Sequence, residues 1–145
     1  MVLHILKMAV GVENIEHLCR LQRQRLRVMR EAGDPQILRH WTRNTPKRAD
    51  EIQAGGSLYW IIKGYIRARQ RIVAIERSKD REASKKCAFL LDPKVVRTLQ
   101  RAARPIQGWR YLDSRSAPLD EKHNPVESAD IPEEMARELR SLGLI

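Results

Sequence analysis

Gly55-Gly56-Ser57-Leu58-Tyr59-Trp60-Ile61-Ile62-Lys63-Gly64-Tyr65-Ile66-Arg67-Ala68-Arg69-Gln70-Arg71-Ile72-Val73-Ala74-Ile75 is the stretch on which the fold turns. A double glycine opens it, two apolar runs follow, and arginine stands at every second position from 67 to 71. Side chains of an extended strand alternate between faces. Ile66, Ala68, Ile72 and Ala74 therefore fall on one face, and Arg67, Arg69 and Arg71 on the other at ~6.6–6.8 Å intervals. The half from Leu58 to Ile62 is apolar enough for strand core, and the half from Ile66 to Ile75 offers an ordered row of cations.

Upstream, Asn44-Thr45-Pro46 breaks the chain, and a short helix over Lys47–Ala54 is expected, with Thr45 as N-cap and Gly55 as terminator. Before it, the Asp34-Pro35 turn precedes a strand over Ile37–Arg43. From Glu13 to Ala32 the period is helical: Ile15, Leu18, Cys19, Leu26 and Met29 recur at three- and four-residue steps, arginines take much of the remaining surface, and Gly33 ends the run. Residues 2–10 read as a first strand closed by Gly11.

Downstream, the run Glu76–Lys86, polar but for Ala83, reads as a hairpin loop, Cys87–Leu91 as a strand stopped by Asp92-Pro93, and Val95-Val96 as the start of one more strand or turn. In the piece ending at Leu112, alternation sets Trp109 and Tyr111 on one face and Arg110 and Leu112 on the other. Proline, serine and acidic residues from Asp113 to Ala129 suggest an extended linker, after which Asp130 caps a final helix bearing Met135, Leu139 and Leu142. The expected fold class is α+β: a small mixed β-sheet or partly open barrel with a long N-terminal amphipathic helix and a C-terminal helix. Residues 1–112 form one domain, and 113–145 an acidic linker and helix that dock on it or on a second copy.

Charge is divided along the 145 residues. Residues 1–112 carry 24 Lys and Arg against 10 Asp and Glu, a net of +14, and residues 113–145 carry 4 against 8, a net of −4. Such a basic body favours an acidic partner. Cys19 and Cys87 form no C-x-x-C pair and read as reduced thiols, no apolar run reaches 18 residues, and no cleavage site follows the first apolar run. The expected compartment is the cytoplasm.

Nucleic-acid binding needs cations at backbone spacing and, for single strands, aromatic faces for stacking. All seven aromatic residues lie between Trp41 and Tyr111, inside the basic body. The candidate binding residues are Arg67, Arg69, Arg71, Arg39, Arg43, Lys47, Arg48 and Arg110, with Trp41, Trp60 and Trp109. The competing reading puts Tyr59, Trp60 and Phe89 in the core and pairs the arginines with Glu76, Asp50 or the acidic tail. Catalysis has less to stand on. The four histidines are scattered with no metal-ligand spacing, no nucleotide or cofactor motif occurs, and the candidates for proton transfer are Lys63 with Glu51 or Glu76.

The Gly55–Trp60 run, Lys63-Gly64, Arg69–Ile72, Pro46–Glu51 and Gln107–Leu112 together resemble an alphaproteobacterial family of uncharacterised proteins, domain of unknown function 1489. The resemblance spans about residues 2–112. That family usually has Phe where Ile106 stands, an exchange that touches nothing central, and it implies no activity. The order of short helix, strand and looped second strand is also similar to the PUA-like and ASCH-like small barrels, many of which bind RNA or modified bases. The function expected is an RNA- or single-stranded-nucleic-acid-binding module. The alternatives are a small hydrolase of a modified nucleoside and an interaction module that forms a homodimer through its C-terminal helix.

Overall fold

The computed structural model describes residues 2–80, 82 and 84–121. In chain order its elements are β1 (Leu3–Met8), α1 (Ile15–Glu31), β2 (Leu38–Thr42), α2 (Ala49–Gln53), β3 (Ser57–Ile62), β4 (Tyr65–Arg77), β5 (Cys87–Leu91), β6 (Val96–Ala102) and β7 (Trp109–Asp113). The linker expected beyond Glu121 and the terminal helix lie outside the described residues.

The central stretch folds as a hairpin. Lys63 and Gly64 take φ of 50° and 82°, the left-handed conformation that a two-residue type I′ turn requires at both central positions. Either side of it, β3 and β4 pair antiparallel. Gly56 fixes the entry to β3: a Cβ there would lie 2.2 Å from Leu3 O and 2.6 Å from Ile52 O. The ends of α2, β1 and β3 thus meet at a point where only glycine fits.

The sheet is mixed and open. Strands follow the order β2-β5-β4-β3-β1-β7, with β6 also on β4. Only β1 and β3 run parallel, because the crossover between them carries α1, β2 and α2. The bond from Asp92 N to Arg71 O, 2.9 Å, carries the chain from β5 towards β6. The two ends of the sheet are tied by side chains: Trp109 Nε1 donates to Asn44 O at 2.9 Å, and Arg48 N donates to Tyr111 Oη at 3.2 Å.

Both faces of the sheet are covered. One buries Ile5, Leu58, Trp60, Ile62, Ile72 and Phe89 against Leu18 of α1 and Ile52 of α2. The other gathers Tyr59, Ile61, Ile66 and Leu112, with Ala117 against them. Asn14 caps α1 by accepting from His17 N at 2.7 Å. At its far end Gly33 N donates to Arg30 O and Asp34 N to Met29 O, with Gly33 at φ 76°, the paired bonds of a Schellman motif.

Three expectations change, and the choice between strand and turn at Val95-Val96 is decided for strand. Thr45 does not cap α2: the cap position is Arg48, without a side-chain bond, because the chain turns through 46–48 before helical hydrogen bonding begins. Val96 opens a seven-residue strand. The chain after Asp113 is no free linker as far as Glu121: Leu99 N donates to Leu119 O at 2.8 Å and Glu121 N to Arg97 O at 2.9 Å, laying 119–121 along β6.

The third correction concerns the arginine row. Against β3, Ile66 pairs with Ile61 but Ala68 pairs with Trp60, while against β6 the register shifts the other way, from Arg101 to Arg97, with the extra residues in β6. Arg67 is therefore the extra residue of a β-bulge. Ile66 and Ala68 face opposite sides of the sheet, and Arg67 leaves the line of Arg69 and Arg71. A second shift at Val73 separates Ile72 from Ala74 in the same way.

Candidate nucleic-acid interface

Leu18, Leu21, Gln22 and Arg25 stand at i, i+3, i+4 and i+7 on α1, one stripe of a helix. That stripe walls a cleft of about 190 Å³ whose other side is the end of β1 with Val10 and Val12, Leu38 to His40 of β2, and Trp60. Its walls are mainly apolar, and the exposed Val10 and Leu21 lie at its mouth. Lys7, Gln22, Arg25, Arg39 and His40 supply the polar groups, and among the described residues no carboxylate lines it. An apolar slot bordered by cations suits a ligand with a flat body and a negative charge.

The floor is locked by a buried amide network. Gln22 and Gln70 exchange two bonds of 2.8 Å, Trp60 Nε1 donates to Gln70 Oε1 at 2.8 Å, and Gln70 Nε2 donates to Asp92 O at 3.0 Å. Every donor and acceptor so used is withdrawn from the ligand, so the network holds α1 at a fixed distance from β4.

His40 stands edge-on to Trp60, ring centroids 5.2 Å apart. Its Nε2 is buried without a hydrogen-bond partner. Burial first, then the positive charges of Lys7, Arg25 and Lys85, lower its pKa to about 4, so the imidazole is neutral at pH 7. Burial, with Lys85 nearby, also lowers the Lys7 ammonium from its ordinary value. Clustered cations that disfavour one another lose that penalty when an anion arrives.

The other residues singled out in the sequence are dispersed. Arg39 reaches the cleft and pairs with Glu76 at 2.8 Å. Arg67 donates to Ile62 O at 2.7 Å and lies 5.2 Å from the Tyr65 ring centre. Arg69 makes a two-pronged pair with Asp120, both bonds 2.7 Å, and donates to Ser57 Oγ at 3.1 Å. Arg71 is exposed on the same face as Arg69, opposite Ser57. Arg43 and Lys47 are exposed beside β2, and Arg110 is exposed on β7. Arg48 grips Glu51 through bonds of 2.5 and 2.7 Å while stacking over Tyr111.

Among the tryptophans, Trp60 is 3% exposed and belongs to the core, which withdraws it as a stacking surface. Trp109 is half-buried against Phe89 and Tyr111. Trp41 is 40% exposed on the outer side of β2. The proposed proton-transfer group does not assemble: Lys63 sits on the exposed hairpin turn, 3.1 Å from Glu13, while Arg48 and Arg39 hold Glu51 and Glu76. Lys63 and Glu76 also stand at opposite ends of β4.

Sequence reading missed Lys7, Arg25 and His40 as one group, because three separate elements bring them together. Gln22 and Gln70 carried a usable signal. Each is an amide in an otherwise apolar repeat, Gln22 four residues from both Leu18 and Leu26, and Gln70 two from both Ala68 and Ile72.

No helix among the described residues is long and apolar enough to cross a membrane. No curated protein and no solved structure matches the chain significantly. A family model does match, over residues 5–145. On that match the chain belongs to the family described as Protein of unknown function (DUF1489).

Proposed function

We propose that the protein binds single-stranded nucleic acid, RNA first of all, by seating a base in the α1–β2 cleft with its phosphates on Lys7, Arg25 and Arg39. The observation that carries this reading is the composition of the cleft: apolar walls, cations at the rim and, among the described residues, no carboxylate. The net charge of +10 draws a polyanion toward it. The exposed Trp41 and Arg43 lie on the other face of the edge strand β2, where a neighbouring base that passes round the edge stacks on the indole. The activity belongs to the cytoplasm, where RNA is available.

A fluorescent short RNA titrated at two salt concentrations tests the reading. Affinity falls steeply as salt rises, and Lys7→Ala with Arg25→Ala lowers the logarithmic salt slope by about 0.7 for each phosphate that is no longer neutralised. Absence of binding at low salt, or affinity indifferent to salt, rejects it.

A further inference from the structure

On the face of the sheet opposite the α1–β2 cleft, a second cleft of about 360 Å³ lies over the start of β1 and β3. Its polar wall is made of His4, Ser57, Tyr59 and Arg69, all carried by strands, and Asp120, carried by the segment that crosses β6. The strand-borne groups are donors. His4 Nδ1 accepts from Ser57 N at 2.9 Å, which leaves the proton of the neutral ring on Nε2. Ser57 Oγ accepts from Arg69 at 3.1 Å, so its own proton is left to donate. Burial raises the pKa of Tyr59 and lowers that of His4, which keeps the phenol protonated and the imidazole neutral.

We propose that this cleft is a binding site for the phosphate or carboxylate group of a small ligand, and that Asp120 occupies it in cis. The side-on fork of Arg69 Nε and NH2, each 2.7 Å from a carboxylate oxygen, is the geometry in which arginine takes either oxyanion. Three neutral donors beside one guanidinium form a wall for negative charge. Among the described lining residues the one carboxylate, Asp120, comes from a surface segment, not from the sheet that builds the wall. Binding therefore exchanges one oxyanion for another on Arg69 and releases the Asp120 side chain. The site shares no lining residue with the α1–β2 cleft, so it stands or falls independently of RNA binding.

The experiment titrates the full chain and its Asp120→Asn variant with inorganic phosphate and, separately, with acetate, following the backbone signals of Ser57 and Tyr59. Removing the internal competitor is expected to tighten binding at least about fivefold, the equivalent of a half-exposed ion pair, and Arg69→Lys in the same background abolishes it. A stronger response to phosphate assigns a phosphate ligand, and the reverse assigns a carboxylate. Equal affinity in the two chains, or no response to either anion at tens of millimolar, overturns the proposal. If Asp120→Asn fails to fold, the Arg69 Nε–H signal of the unaltered chain decides: movement with phosphate supports the site, and a stationary signal rejects it.

Discussion

Gln70 is fully buried with a side-chain amide in the middle of a β-strand, and it is tolerated because every polar atom has a partner. Gln70→Leu leaves the Trp60 indole N–H and the Gln22 amide buried without partners, at about 1–3 kcal/mol each. Denaturant unfolding is therefore expected to show a loss of ~2–6 kcal/mol. Adding Gln22→Leu costs less than the sum of the two single changes, because the second substitution removes a group that the first had orphaned. Full additivity rejects the network as a unit. His40 makes a second prediction. The unfolded chain binds a proton there near pH 6.5 and the folded chain only near 4, so stability conferred by the neutral ring is lost as pH falls from 6.5 to 4, by up to about 1.4 kcal/mol per pH unit. His4 slopes the same way. Glu51 and Asp120, held low by Arg48 and Arg69, begin to lose their contribution as pH falls through the ordinary carboxylate values of 4.5 and 3.8. Thermal melts of His40→Phe are expected to flatten between pH 6.5 and about 4 relative to the natural chain, and an unchanged slope rejects the assignment.

At the scale of elements, most boundaries were legible in the sequence because they are set locally. The switch from helical to alternating period, Gly33 behind α1 and Asp92-Pro93 behind β5 are all written within a few residues of the event. The bulge at Arg67 was not legible. Ile66, Ala68 and Ile72 alternate perfectly with the arginines, and only the pairing of Ile66 with Ile61 and Ala68 with Trp60 shows that the alternation is interrupted. The α1–β2 cleft was hidden for a similar reason: Lys7, Arg25 and His40 are ordinary residues of three elements until the fold joins them. The bulge yields a test by deletion. Removing Arg67 closes the ladder to β3 while Ile66 and Ala68 keep their faces, so the variant is expected to fold, giving up the bond to Ile62 O and the stacking on Tyr65 among its interactions. Removing Ala68 forces Arg67 or Arg69 into a position that is 0% exposed, an uncompensated charge costing several kcal/mol. Circular dichroism that shows both deletions equally folded, or the Arg67 deletion the worse of the two, contradicts the bulge.

At the scale of the whole molecule, the segment from Asp113 to Glu121 closes what the sheet leaves open. Its backbone bonds to Arg97 and Leu99 lie along β6, whose edge would otherwise be a template for another chain. Ala117 lies on the cluster of Tyr59, Ile61, Ile66 and Leu112, so one short segment shields both an edge and an apolar patch. The acidic character of this part of the sequence then has a physical role, since Asp120 neutralises Arg69 at the place where the segment is fastened. A chain ending at Leu112 gives up all of these interactions, whereas one ending at Glu121 keeps them. The shorter chain is expected to melt at lower temperature and to associate, read by calorimetry and light scattering. The longer one is expected to remain at least as dispersed as the full chain. If the chain ending at Leu112 matches the one ending at Glu121 in melting temperature and size, the segment shields nothing, and Arg69 gains no more from Asp120 than an exposed ion pair supplies.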